Sequence, residues 1–434
     1  MRCPVRVRLI WTWLALAASL FLAGCGSTAI GPTPAPPGPL PTVTVPLDLP
    51  VVISIVGSFN DPVLGILDQQ IAAFEEANPD IVVEVVETRG DAEARRQQFA
   101  ESLAQGDSSR DIFVIDYHWL AAFSTPGWLH PLDRFLEARN LDPDAYLPAA
   151  AQASRIGGAL LGLPWTADAG LLYYRQDLLD DPPSTWLELE QAALEVAADP
   201  SVPYGYVWQA AAYDTLTCNT LEFVWAHGGG VLDQEGTVVF DSPETRAALE
   251  QMAGLIASGA SPRDVTTYGE GATLEAFQSG QALMMRNWSY AWDRLNAPDS
   301  ALPGRAALGP LPASCLGGQS LVLSAGSLHP EEAFEFMAFL TALEQQAQLR
   351  PAGVQQLAAL QAVYRDPALL AQDPALASLY SGLLAARPRP KSADYAALTE
   401  AIYTEVHALL VGEQDSSVTA TRIQERLEAV PHGP

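Results

Sequence analysis

Past residue 50 the chain alternates short apolar runs with stretches whose apolar positions recur every three or four residues. Val51-Val52-Ile53-Ser54-Ile55-Val56 has the composition of a buried strand. Leu64, Leu67, Ile71 and Phe74 then share one helical face, and Asn78-Pro79 stops that helix. A second apolar run, Ile81 to Val86, is followed by a helical stretch from Asp91 to Ala104 and by Ile112-Phe113-Val114-Ile115. Strand, helix, strand, helix, strand predicts a parallel sheet with crossover helices. In open sheets of this kind ligands sit at the carboxyl ends of strands, so Asp116 is a candidate contact, with capping of the next helix as its competing role. Further along, Thr185 with Glu188 three residues on is a capping box that starts a helix after Pro182-Pro183. Pro330-Glu331-Glu332 followed by Ala333, Phe336, Phe339 and Leu340 is an amphipathic helix whose aromatics belong to the core.

The first 24 residues stand apart from this pattern. Arg2, Arg6 and Arg8 precede an uncharged stretch from Leu9 to Ala23, too short for a bilayer span of ~20 residues and arranged as a secretory signal. It ends in Leu22-Ala23-Gly24-Cys25, which resembles a bacterial lipobox, in which the Cys25 thiol takes the lipid. A plain secretory signal with an incidental cysteine is the alternative. Ser27 to Pro50 is proline-rich and suits a polyproline II spacer.

Charge narrows the function classes. The 434 residues carry 51 Asp+Glu against 23 Lys+Arg, a net charge of −28, and loss of the three signal arginines takes this to −31. Such a surface repels phosphate backbones and anionic lipid headgroups, which excludes nucleic acid as a partner and leaves the lipid as the only membrane attachment. The six histidines (His118, His130, His227, His329, His407 and His432) are scattered without ligand spacing, so no metal site and no cofactor are expected.

Several motifs, in one shared order, resemble the extracellular solute-binding proteins of ABC importers, in particular the carbohydrate-binding group that includes trehalose/maltose-binding proteins. They are Phe74-Glu75-x-x-Asn78-Pro79-x-Ile81-x-Val83, Asp111-Ile112-Phe113-Val114-Ile115-Asp116-x-x-Trp119 and Gly127-Trp128-Leu129-x-Pro131-Leu132, then Gly162-Leu163-Pro164-Trp165 through Tyr174 and Pro183-Ser184-Thr185-Trp186. Gly205 to Asn219, Met285-Arg286-Asn287-Trp288-Ser289-Tyr290-Ala291-Trp292 and Gly317-Gly318-Gln319 continue the series over residues 50–430. The resemblance implies a periplasmic-binding-protein-like α/β fold of two discontinuous lobes around a hinge and cleft. Residues 50–164 with 313–352 would form the first lobe, and 165–312 with 353–434 the second.

It also implies a site. Sugars present flat C–H faces ringed by hydroxyls, which call for aromatic plates and charged planar groups. Trp288 and Tyr290 are the candidate plates, with Trp292 assigned to the core. Arg96 (preferred to its neighbour Arg95), Asp116, Asp168 and Arg389 are the candidate hydroxyl partners, and Gly317 and Gly318 let a ligand approach backbone closely. Two positions depart from the group: Gln319 stands where a stacking tryptophan is common, and Thr166 where an aromatic is usual. No glutamate near Asn60-Asp61 matches the group's N-terminal sugar contact. Once Cys3 is removed with the signal and Cys25 is acylated, Cys218 and Cys315 are left either as a disulfide or as two buried thiols.

The function implied is capture of a sugar, a di- or oligosaccharide of the trehalose/maltose type, by a monomeric extracytoplasmic lipoprotein that hands it to the transmembrane subunits of an ABC permease without covalent chemistry. Three other readings compete: a binder of a non-sugar solute, an envelope scaffold, and a glycoside hydrolase using Asp116 and Asp168 as acid and base.

Overall fold

In the computed structural model the predicted strand–helix alternation builds a parallel core. The structure describes residues 49–431 except 91, 197–200, 234, 298–299 and 352–355, so the signal, Cys25 and nearly all of the spacer lie outside the described residues. In chain order the strands are β1 (Val51–Gly57), β2 (Ile81–Glu87), β3 (Ile112–Asp116), β4 (Arg155–Ile156), β5 (Ala159–Leu160), β6 (Leu163–Ala169), β7 (Leu171–Arg175), β8 (Tyr204–Val207), β9 (Ala282–Asn287), β10 (Ala306–Gly309), β11 (Ser314–Leu323), β12 (Leu357–Ala358) and β13 (Ala386–Arg387). β1 pairs in parallel with both β2 and β3, as the alternation requires. The helix Asp61–Ala77 between β1 and β2 starts where Asn60 accepts the Val63 N–H at 3.1 Å, and buries Leu67, Ile71 and Phe74. The capping box of Thr185 and Glu188 forms in both directions, at 3.1 and 3.2 Å, and opens the helix Trp186–Val196. Phe74 meets Phe336 of the helix Pro330–Leu340 at 4.9 Å between ring centroids, so that amphipathic helix does face the core.

Two sheets result. The larger runs β12-β6-β11-β3-β1-β2 with β13 beside β11, and the smaller runs β10-β7-β9-β8. β11 is antiparallel to β3 on one side and to β6 on the other. Its register sets Gln319 opposite Asp116 and Thr166, and Gly317 opposite Asp168, so residues of three strands widely separated in sequence become neighbours. Gly318 lies between them at φ 102°, and a Cβ there would come within 2.5 Å of the Thr166 carbonyl oxygen; this is one position that needs glycine.

The crossings between the sheets differ from the boundaries expected at 164/165 and 352/353. β6 stays in the larger sheet through Ala169, and the chain passes at Gly170 directly into β7 of the smaller one. It returns between Gly309 and Ser314. After residue 353 it is still on the larger sheet, because β12 pairs with β6, and only beyond β13 does it reach the C-terminal helices Tyr395–Leu410 and Ser416–Glu428. These two pack with the helices Asp214–Ala226 and Pro243–Ala257. Proline and glycine signals were the guide to the boundaries, whereas strand pairing decides them: Pro164 is accommodated inside β6, opposite Ser320 at a break in the register. Among the described residues no helix is long and apolar enough to cross a membrane.

Candidate functional site

The ends of β3, β6 and β9 and the middle of β11 open onto one cleft of about 260 Å³. Asp116, Asp168, Trp288, Tyr290, Gly317, Gly318 and Arg389 all line it, together with His118, Asp214 and Gln356. Seven of the eight expected side chains and backbone positions are therefore brought together. Arg96 is not among the lining residues: on the helix Ala92–Ala104 it forks onto Glu93, three residues earlier, at 2.6 and 2.8 Å. One residue is a 100° turn of a helix, and it is Arg95 whose charge reaches Asp116.

Asp168, at the end of β6, is buried, and one carboxylate oxygen accepts the N–H groups of Ser289 and Ala169 at 2.9 and 2.8 Å. Burial pushes its carboxyl up to about 6, against the pull of those bonds and of Arg286. Asp116 is also raised by burial, opposed by the Gln319 amide, which donates to it at 3.1 Å, and by Arg95 and Arg389. Arg389 forms an ion pair with Asp214 at 2.5 Å and donates to the Tyr395 hydroxyl at 2.7 Å, while Tyr395 and Thr399 both donate to the other Asp214 oxygen. Burial alone would raise Asp214, but Arg389, His118, Tyr395 and Thr399 together hold it well below the carboxylate range. His118 packs on Tyr395 at 4.5 Å and is lowered to about 3 by burial and Arg389, so it is neutral in the cleft at physiological pH.

The two departures from the group form one feature. Gln319 donates through its side chain to Asp116 and through its backbone to the Thr166 hydroxyl (3.1 Å), which in turn donates to Gln356 at 2.9 Å. This wall is made of amides and a hydroxyl, and Trp288, which abuts Gly317, lines the same cleft with Tyr290. Aromatic surface, carboxylates, amides and a guanidinium around an open cleft can recognise a polyhydroxylated neutral solute.

Lys391 is the only lysine in the 434 residues. It lies two residues past Arg389, and its ammonium donates to the carbonyls of Gln152 and Arg155 at 3.0 and 2.6 Å. The same segment thus holds the helix Asp214–Ala226 through Arg389–Asp214, and the helix Pro148–Ala153 and strand β4 through Lys391. The structure also joins Cys218, on the helix Asp214–Ala226, to Cys315, on β11, in a disulfide with both residues fully buried.

Sequence reasoning missed Asp214, His118 and Gln356. Asp214 had a weaker signal: it opens the helix that follows β8, seven residues beyond the strand's last residue Val207, whereas Asp116 ends its own strand. His118 had none beyond lying two residues after Asp116.

A sequence model of the bacterial extracellular solute-binding protein family matches residues 61–347. A probable ABC transporter-binding protein of Deinococcus radiodurans is 33% identical over 350 residues, covering 76% of this chain and 81% of that protein. Among solved structures, maltose-bound MalE3 of T. maritima superposes with a TM-score of 0.76 at 34% identity, over 87% of this chain and 99% of that one. A ribitol-bound solute-binding protein of Agrobacterium radiobacter reaches 0.72 at 23% identity, over 87% and 98%, and shares the fold. Two α/β sheets joined by crossing segments, a polar-aromatic cleft against them and sequence similarity along most of the chain agree, and the chain belongs to the bacterial extracellular solute-binding protein family.

Proposed function

We propose that this protein is the sugar-capturing subunit of an ABC importer, taking a di- or oligosaccharide of the maltose or trehalose type between two lobes that close by a hinge, and delivering it to the permease. The observation that carries this reading is the Trp288 indole facing a cleft whose polar groups are Asp116, Asp168 and Arg389, a pairing of plate and hydroxyl partners suited to a pyranose. The similarity to a maltose-bound protein at 34% identity supports it. Closure follows if the ligand binds the closed arrangement better than the open one, and the protein needs no covalent step. Cys25 holds the monomer to the membrane by its lipid, on the extracytoplasmic side.

One observation favours a second reading. The Gln319–Asp116 and Thr166–Gln356 wall is polar where a second plate would stack, which suits a single sugar ring or a linear polyol. Calorimetry with maltose, trehalose, single hexoses and alditols decides between the two. Trp288→Ala should weaken the best ligand by roughly 1.5–3 kcal/mol, about ten- to a hundredfold, with the fold retained. Undiminished affinity in a folded Trp288→Ala protein refutes the cleft assignment, and binding of an amino acid or peptide in place of any carbohydrate refutes the substrate class.

A further inference from the structure

The Trp288 indole is held by Arg286 and Glu270, which do not line the cleft, and by Gly317, which does. The Arg286 guanidinium lies over its ring, 4.1 Å from the centroid. At the indole edge, Nε1–H donates to Glu270 at 3.3 Å, and Glu270 is itself fixed by the hydroxyls of Thr215 (2.6 Å) and Tyr213 (2.8 Å). The opposite edge abuts Gly317, where an added Cβ would come within 3.2 Å of Trp288 Cζ3.

Behind the indole, Arg286 is fully buried. Its Nη2 and Nε donate to the two oxygens of Glu222 at 2.6 and 3.1 Å, and Glu222 is fully buried as well. The Glu222 oxygen nearest Arg286 also accepts the backbone N–H of Cys315 at 3.1 Å. A Cβ at Gly170 would lie 2.0 Å from that same oxygen and 2.5 Å from Arg286 Nη2. Gly170 and Cys315 are in the two segments that cross between the sheets, so the ion pair touches the hinge strands on one side and the indole on the other. Burying two opposite charges gains little stability over a packed apolar pair of the same volume. Its geometric fixity has a clearer use, because a ligand that meets a plate already in place loses no affinity to ordering it.

We propose that the buried Glu222–Arg286 pair is a positioning device that fixes the Trp288 indole for ligand and ties its placement to the crossing segments at Gly170 and Cys315. Neither residue lines the cleft; both act through the indole. The inference rests on the sugar-binding reading only for the purpose of the plate, and its test is separable from that reading.

The full chain carrying 5-fluorotryptophan gives ten tryptophan positions, and the 19F resonance lost in Trp288→Phe identifies the indole. Arg286→Lys keeps the cation but cannot fork onto Glu222 while stacking, and Glu222→Gln keeps the shape but removes the charge. Either substitution should shift or broaden the Trp288 resonance without ligand while the other resonances of a cooperatively melting protein stay in place. Gly170→Ala perturbs the pair from the hinge side and should move the same resonance, which keeps the question decidable if a substitution within the pair prevents folding. With maltose as the probe, the variants should bind about tenfold more weakly. A Trp288 resonance unchanged in every folded variant overturns the proposal, as does a shifted resonance with parental maltose affinity. If the parent binds no carbohydrate at all, the sugar reading fails, and the 19F spectra alone decide whether the pair positions Trp288.

Discussion

Removing the Cys218–Cys315 disulfide tests how the crossing region is held. The two cysteines are 97 residues apart in sequence. Cross-linking ends at that separation removes about 4.7 kcal/mol of chain entropy from the unfolded state at 25 °C, on the loop-closure account. At about 2.1 cal/mol/K of unfolding entropy per residue, a body running from Leu49 to Pro431 should then lose roughly 6 °C of Tm in the Cys218→Ala/Cys315→Ala variant. Urea unfolding of the variant against the oxidised parent measures the difference, and the parent under a reductant should match the variant once its bridge has opened. Because both cysteines are fully buried, reduction of the folded parent should wait for opening of the structure. The bridge joins the helix Asp214–Ala226 to the first residues of β11, beside the Gly170 crossing, so it does not span the cleft mouth and ligand affinity should change by less than a factor of three. A loss of stability under 1 kcal/mol would refute the reasoning, since the unfolded chain would then not be gaining the freedom the loop length assigns to it.

Two further expectations concern charge and anchoring. Asp168 has a folded-state pKa of about 6 against about 3.9 unfolded, so the folded protein keeps this proton longer; stability falls as pH rises from about 4 to 6, by about 3 kcal/mol in full, and the loss persists above pH 6. Thermal melts of the unliganded protein should show a smaller slope in Asp168→Asn than in the parent, the remainder coming from groups such as Asp116 that burial also raises, and equal slopes would contradict the assignment. Cys25→Ser should release the protein from membranes in detergent partition, and unchanged retention would show that another element anchors it.

The elements that were legible in the sequence are those written in local periodicity. The run Ile53 to Val56 and the face Leu67, Ile71 and Phe74 each state their own burial, although Val52 in the same apolar run is exposed, and the Thr185–Glu188 box states a helix start within four residues. What periodicity does not carry is pairing across distance. β11 lies between β3 and β6 in a register that no local signal encodes, and this register is what sets Gln319 against both Asp116 and Thr166. The two departures from the sugar-binding group were visible one by one as residue types, but their meeting in one polar wall was not. The same applies to Arg286 and Glu222, 64 positions apart, and to Asp214 with Arg389, 175 apart. The choice between Arg95 and Arg96 turns on a single residue of helix register: Arg96 forks onto Glu93, while Arg95 donates to the Gly90 carbonyl and its charge acts on Asp116.

The solitary lysine also gives this fold a built-in reporter. A protease that cuts only after lysine finds one target in the whole chain, the Lys391–Ser392 bond. That bond is shielded while the ammonium sits on the carbonyls of Gln152 and Arg155. The rate of that single cut in the native protein therefore counts how often the segment carrying Arg389 lets go of the helix Pro148–Ala153 and strand β4, and a ligand that holds this segment in place should slow it.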